Sequence, residues 1–186
     1  MSFTGASILS IEQFSLDDVE RIFAVADRMQ PFASRERVTK ALDGAILGNI
    51  FLEPSTRTRI SFGSAFNLLG GHVRETSDIS SSAFVKGESL QDSARILSGY
   101  SDIICLRHPT SGSVEKFAKY SRVPVINGGD GANEHPTQAL LDLFTIKKEL
   151  RAKNRDINNL RIALVGDLLF GLSLIHISEP TRPSRI

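Results

Sequence analysis

The sequence predicts an α/β fold: a parallel sheet with helices on both faces. Three observations carry that prediction. Short apolar runs at 44–52, 103–106, 123–126 and 160–165 read as strands. Stretches with apolar residues at helical spacing separate the runs, and strands alternating with helices favour parallel pairing. Polar clusters follow three of the runs, and ligands of such sheets gather at the carboxyl ends of strands.

Taken in order, Ser15-Leu16-Asp17-Asp18 reads as a capping box. Leu16, Val19, Ile22, Phe23, Ala26 and Met29 then make an apolar stripe at helical spacing. Gly44 to Leu52 follows as a buried strand. The next helix keeps Ile60, Phe62, Ala65, Phe66 and Leu69 apolar and stops at Gly70-Gly71. His72-Val73-Arg74 is extended, and Thr76 through Gly87 is a serine-rich loop. Ser89 caps a helix carrying Ala94, Leu97 and Tyr100. Ile103 to Leu106 is a strand, Val114 to Tyr120 a short helix and Val123 to Ile126 a strand. Asn127 to Asn133 holds three glycines and is expected to be irregular loop. Pro136 opens a helix that runs to about Leu150, and 160–165 is a last strand.

The bulk composition narrows the function classes. The chain has 186 residues, 41% of them hydrophobic, enough for a packed core. Net charge is +1, so no global field points to nucleic acid or an anionic membrane, and anion binding has to be local. The single cysteine, Cys105, sits in an apolar run and reads as a core thiol in a reducing compartment. No secretory pattern or bilayer-length apolar run is present, which makes the cytoplasm the expected compartment.

Phe51-Leu52-Glu53-Pro54-Ser55-Thr56-Arg57-Thr58-Arg59 runs from a strand into a helix start. The first N–H groups of a helix are unpaired and carry partial positive charge. With the hydroxyls of Ser55, Thr56 and Thr58 and the guanidinium of Arg57, this end can cradle a phosphate. The plainer alternative is an ordinary N-cap. Arg107 and His108 follow the second strand, and His135, Pro136, Thr137 and Gln138 follow the third. If these clusters converge, the pocket binds a small phosphorylated compound and stabilises charge developing on an oxygen. No carboxylate pair, Cys–His pair, metal-ligand cluster or nucleotide phosphate loop is evident. Arg59 is expected to face away in an ion pair, His108 to point from the pocket, and His72 to be a surface turn residue. His135 could instead simply cap its helix, and Lys86 could be a solvated charge.

Four motifs in register, Glu53 to Arg59, Lys86-Gly87-Glu88, Leu106-Arg107-His108-Pro109 and Gly129 to Gln138, closely resemble the aspartate carbamoyltransferase family. The resemblance covers the chain from near its start to about Leu168. The ornithine carbamoyltransferases share Ser-Thr-Arg-Thr-Arg, but typically have His-Pro-Cys-Gln at 135–138 and lack the Gly-Asp-Gly-x-Asn lead-in. The resemblance implies carbamoyl transfer from carbamoyl phosphate to L-aspartate, giving N-carbamoyl-L-aspartate and phosphate for pyrimidine biosynthesis, with no cofactor or metal. It implies that Ser55, Thr56, Arg57 and Thr58 hold the phosphate and that Arg107 bridges phosphate and carbonyl. His135 and Thr58 would then donate to the carbonyl oxygen while Gln138 orients the carbamoyl NH₂. It further implies a homotrimer in which Ser82 and Lys86 reach into a neighbouring subunit's pocket.

By the same resemblance, 1–150 is the carbamoyl-phosphate-binding domain and 151–168 begins a truncated aspartate-binding α/β domain. Leu172 stands where the family has an aspartate-binding arginine, and 169–186 reads as a non-native tail. The 186-residue chain alone is therefore expected to be inactive. An ornithine carbamoyltransferase and a non-catalytic carbamoyl-phosphate-binding fragment stand as alternatives.

Overall fold

Ser15 caps the first helix, α1 (Leu16–Ala33): its hydroxyl accepts from Asp18 N–H while the Asp18 carboxylate accepts from Ser15 N–H. The computed structural model describes residues 2–76, 87–155 and 160–163. After α1 come β1 (Ile46–Phe51), α2 (Thr56–Leu68), β2 (His72–Thr76), α3 (Leu90–Leu97) and β3 (Ile103–His108). The chain continues through α4 (Ser113–Ala118) and β4 (Val125–Asp130) to α5 (Pro136–Ala152). Local signals act where expected. Ser89 caps α3, Gly70 at φ +90° lies just beyond the end of α2, and Pro136 occupies the first turn of α5.

The four strands form one parallel sheet in the order β2-β1-β3-β4. Alternation along each strand divides the core between the two faces. Ile50, Leu52, Ile104, Leu106 and Val125 pack with Ala94 of α3 and with Val114 and Phe117 of α4. Leu47, Phe51 and Cys105 point the other way, against Phe62 and Phe66 of α2. Helices thus cover both faces, as predicted. Phe51 and Phe117 are fully buried, and each large apolar side chain removed from water stabilises the fold by about 1.5–3 kcal/mol.

Three expectations need correction. The stripe on α1 is narrower than its periodicity suggests. Phe23 is buried against Phe144 of α5, with ring centroids 5.3 Å apart, whereas Leu16 is 85% exposed and Met29 is exposed too. Of the expected strand 160–165, residues 160–163 form no strand and have no ladder partner among the described residues, and 164–165 lie outside the described residues.

The third correction concerns the glycines after Ile126. They do not begin an irregular loop, because β4 continues through Gly128, Gly129 and Asp130. The register against β3 shifts between Leu106 and His108 to accommodate them. Gly129 has φ +118°, and a Cβ there would lie 2.9 Å from Arg107 Nη1. The missing side chain is therefore the space in which the Arg107 guanidinium lies. On the outer side, Ile8 bridges Ile126 in parallel, and Leu9 O accepts from Asn127 Nδ2 at 3.0 Å. The N-terminal segment thereby covers part of what would be an open edge.

Candidate active site

The chain steps from β1 outward to β2, then returns across β1 to β3. This reversal opens a crevice between the carboxyl ends of β1 and β3, the standard ligand position in open parallel sheets. Leu52 N–H donates to Arg107 O at 2.9 Å, tying the two strand ends together. A cleft of about 1180 Å³ opens there, lined by Ser55, Thr56, Arg57, Thr58, Arg107, His135 and Gln138 among others. All seven candidates that fall within the described residues meet in this one space. It exceeds what a small phosphorylated compound fills. Ser82 and Lys86 lie outside the described residues.

Ser55 precedes the first turn of α2 in extended conformation, and its side chain makes no capping bond. Ser55 thus holds the N-cap position without the side-chain bond of an ordinary cap, and its hydroxyl stays available to a ligand beside the unpaired N–H groups of the first turn. Arg57 is exposed. Arg59 takes the expected opposite direction: its Nη1 lies 2.7 Å from Glu75 Oε2 on β2. Asn49 on β1 donates from Nδ2 to Arg59 O at 3.0 Å, which anchors this end of the helix to the sheet.

Arg107 enters from β3 and is largely buried. Its Nη2 lies 3.2 Å from Glu53 Oε1, and its Nη1 donates to Gly128 O at 3.3 Å. Nε of Arg107 and Oε2 of Glu53 are buried without hydrogen-bond partners. Buried charged groups with spare capacity are costly unless a ligand or water completes them. The neighbouring His108 does point away. Its Nδ1 accepts from Thr110 N–H at 3.0 Å, and burial pushes its pKa below the usual imidazole value.

His135 sits at the N-cap of α5, again with no side-chain cap bond. Burial, reinforced by the positive charge of Arg107, pushes its pKa down to about 4. The imidazole is neutral near pH 7 and can offer one N–H. Nδ1 lies 3.4 Å from the Thr137 hydroxyl. With that hydroxyl donating, the ring proton resides on Nε2. One turn on, Gln138 Nε2 donates to Asp142 Oδ1 at 3.0 Å, leaving the amide oxygen free. Two helix N-termini, two arginines and a neutral imidazole therefore converge on one crevice, a setting that favours an anion.

Three carboxylates to which no motif assigns a role support the site. Glu53 holds Arg107, Asp142 holds Gln138, and Asp130 holds the loop that carries His135. Asp130 is buried and accepts from the N–H groups of Gly112 and Glu134, both at 2.8 Å. Glu53 and Asp130 fall inside the motifs of the family resemblance without a role assigned there, and the one signal for Asp142 is its i+4 spacing from Gln138. Cys105 is fully buried and its thiol pKa is raised by burial, as befits a core residue. Among the described residues no group of His, Cys, Asp and Glu could hold a metal ion, and no helix is long and apolar enough to cross a membrane.

Fold and cleft together define an α/β domain with a polar cleft, lined by two arginines, at the switch point of a parallel sheet. Residues 6–148 match the family described as aspartate/ornithine carbamoyltransferase, carbamoyl-P binding domain, and the chain belongs to that family. It is 70% identical over 171 residues to the aspartate carbamoyltransferase catalytic subunit of Cellvibrio japonicus, an alignment covering 92% of this chain and 51% of the relative. The corresponding subunit of Saccharophagus degradans is 69% identical with the same coverage. The chain thus spans about half the length of these relatives. Among solved structures, the Trypanosoma cruzi aspartate transcarbamoylase in complex with N-(phosphonacetyl)-L-aspartic acid superposes with a TM-score of 0.84 at 40% identity. That match covers 93% of this chain and 53% of the other. The same enzyme in complex with carbamoyl phosphate and aspartate gives a TM-score of 0.83 at 40% identity, over 93% and 57% of the two chains.

Proposed function

We propose that this cleft binds carbamoyl phosphate and that the whole protein transfers its carbamoyl group to the amine of L-aspartate. The observation that carries the reading is the convergence of Ser55–Thr58, Arg107, His135 and Gln138 on one crevice that holds a neutral histidine. Ser55, Thr56, Arg57 and Thr58 hold the phosphate at the start of α2. Arg107 spans phosphate and carbonyl oxygen, and the carbonyl oxygen accepts from His135 Nε2–H and the Thr58 hydroxyl. Gln138 Oε1 accepts from the carbamoyl NH₂. The aspartate amine attacks the carbonyl carbon, forming a C–N bond as the tetrahedral oxygen gathers negative charge. The bond from carbon to the phosphate oxygen then breaks with its electron pair on that oxygen, which takes up the amine proton, so N-carbamoyl-L-aspartate and hydrogen phosphate result. A neutral His135 stabilises the oxyanion without protonating it, and Arg57 with the α2 N-terminus stabilises the departing phosphate.

On the same reading, residues 1–150 are the carbamoyl-phosphate-binding domain and 151–168 begin the aspartate-binding part. Ser82 and Lys86 complete the pocket of a neighbouring subunit in a cytoplasmic homotrimer. The 186-residue chain alone binds phosphate but does not turn over. Titration calorimetry tests this. The chain should bind inorganic phosphate and carbamoyl phosphate, and Arg57→Ala should weaken both by about 30-fold, the worth of one charge-assisted contact of about 2 kcal/mol. Indifference of both affinities to Arg57→Ala would refute the assignment, and carbamoyl aspartate formation by the isolated chain would refute the inactivity.

A further inference from the structure

We infer that Asp142 is a specificity-determining positioning residue that fixes which end of the Gln138 amide faces the ligand. The inference rests on the carbamoyl phosphate reading above and deepens it. A carboxylate such as that of Asp142 accepts hydrogen bonds and does not donate them. The side-chain nitrogen of Gln138, 3.0 Å from Asp142 Oδ1, therefore faces Asp142 and the oxygen faces the cleft. The two residues stand four apart on α5, so the helix itself maintains the pairing. Alongside, the Thr137 hydroxyl lies 3.4 Å from Nδ1 of His135, and with that hydroxyl donating, Nε2–H is the group that faces a ligand.

The first turns of α5 thus present one donor and one acceptor of defined sense. A planar acyl group fits that pair only if it accepts on one side and donates on the other. A carbamoyl group does so through its oxygen and its NH₂. An isosteric carboxyl group places a second oxygen opposite Gln138 Oε1, acceptor against acceptor. A glutamine free to rotate would simply turn its nitrogen to that oxygen, and the discrimination would vanish. Asp142 prevents the rotation without touching the ligand.

A pair of stable phosphonates that differ at this position, and there by the one negative charge of a carboxylate, provides the test. Phosphonoacetamide carries NH₂ where phosphonoacetate carries oxygen. The dissociation constants of both are measured calorimetrically for the wild-type chain and for Asp142→Asn, Asp142→Ala and Asp142→Leu. The asparagine variant can accept from Gln138 Nε2 or, turned over, donate to Gln138 Oε1, so like the alanine and leucine variants it no longer dictates the sense of the amide. Relative to wild type, the preference for the amide should fall about tenfold in all three variants, as expected for losing one hydrogen-bond distinction, and the fall should persist at high salt. Each preference is a ratio taken on the same folded molecules, so a variant that is only partly folded still reports it. An unchanged preference in Asp142→Ala and Asp142→Leu would overturn the inference while leaving carbamoyl phosphate binding standing. So would a fall that vanishes at high salt, because charge alone would then explain it. Failure of the wild-type chain to bind either phosphonate or carbamoyl phosphate would overturn this inference together with the reading it rests on.

Discussion

Acid should unfold this chain in part through a single imidazole. His135 is buried, and its pKa is lowered from 6.5 to about 4 by burial first and by the Arg107 charge second. In the unfolded chain both influences are gone. Above pH 6.5 the ring is neutral in both states and contributes nothing to the pH dependence. Between 6.5 and about 4 the unfolded chain binds the proton and the folded one resists it, so stability is lost as pH falls through that window. The full difference corresponds to roughly 3 kcal/mol, a large share of the stability of a domain this size. The assay is urea unfolding of the wild-type chain and of His135→Gln at several values from about pH 7.5 to about pH 4, which bracket the window. Carboxylates titrate in both proteins, so the informative quantity is the difference between the two curves. Relative to the variant, the wild-type chain should lose roughly 2–3 kcal/mol across the window. Curves that stay parallel within about 0.5 kcal/mol would refute the claim that the histidine is held neutral, and with it the argument that it donates without protonating.

Three further outcomes are expected. Gly129→Ala places a methyl 2.9 Å from Arg107 Nη1 on a backbone at φ +118°, so it should cost about 1–3 kcal/mol in thermal stability and weaken phosphate binding by calorimetry. Glu53→Gln removes the anion that competes with phosphate for Arg107, so the phosphate dissociation constant should fall by about threefold, with less effect at high salt. Asp130→Asn turns an amide NH₂ toward one of the two N–H donors of Gly112 and Glu134, and chemical denaturation should report a loss of about 1–3 kcal/mol.

Much of the fold was legible because its signals are local. Ser15, Ser89 and Pro136 start helices through bonds made within one turn, and Gly70 ends one through its own φ. The apolar runs of β1 and β3 could only be buried strands. The glycines of β4 misled because the reason for them is not local: they leave room for an arginine from the neighbouring strand. The stripe on α1 misled for a similar reason, since periodicity gives the direction of a face but not the length along which a neighbour covers it.

The sequence by itself determined the inventory of the site: the hydroxyls and Arg57 at one helix start, Arg107 at a strand end, and His135 and Gln138 at another helix start. Those features depend on residue type and short spacing. Only the tertiary structure decided their states. That His135 is neutral follows from burial and from a charge on another strand. That Arg107 lies against Glu53 and the Gly128 backbone follows from strand order and register. Protonation, ion pairing and the direction of an arginine depend on neighbours distant along the chain, and only folding brings those neighbours within a few ångströms.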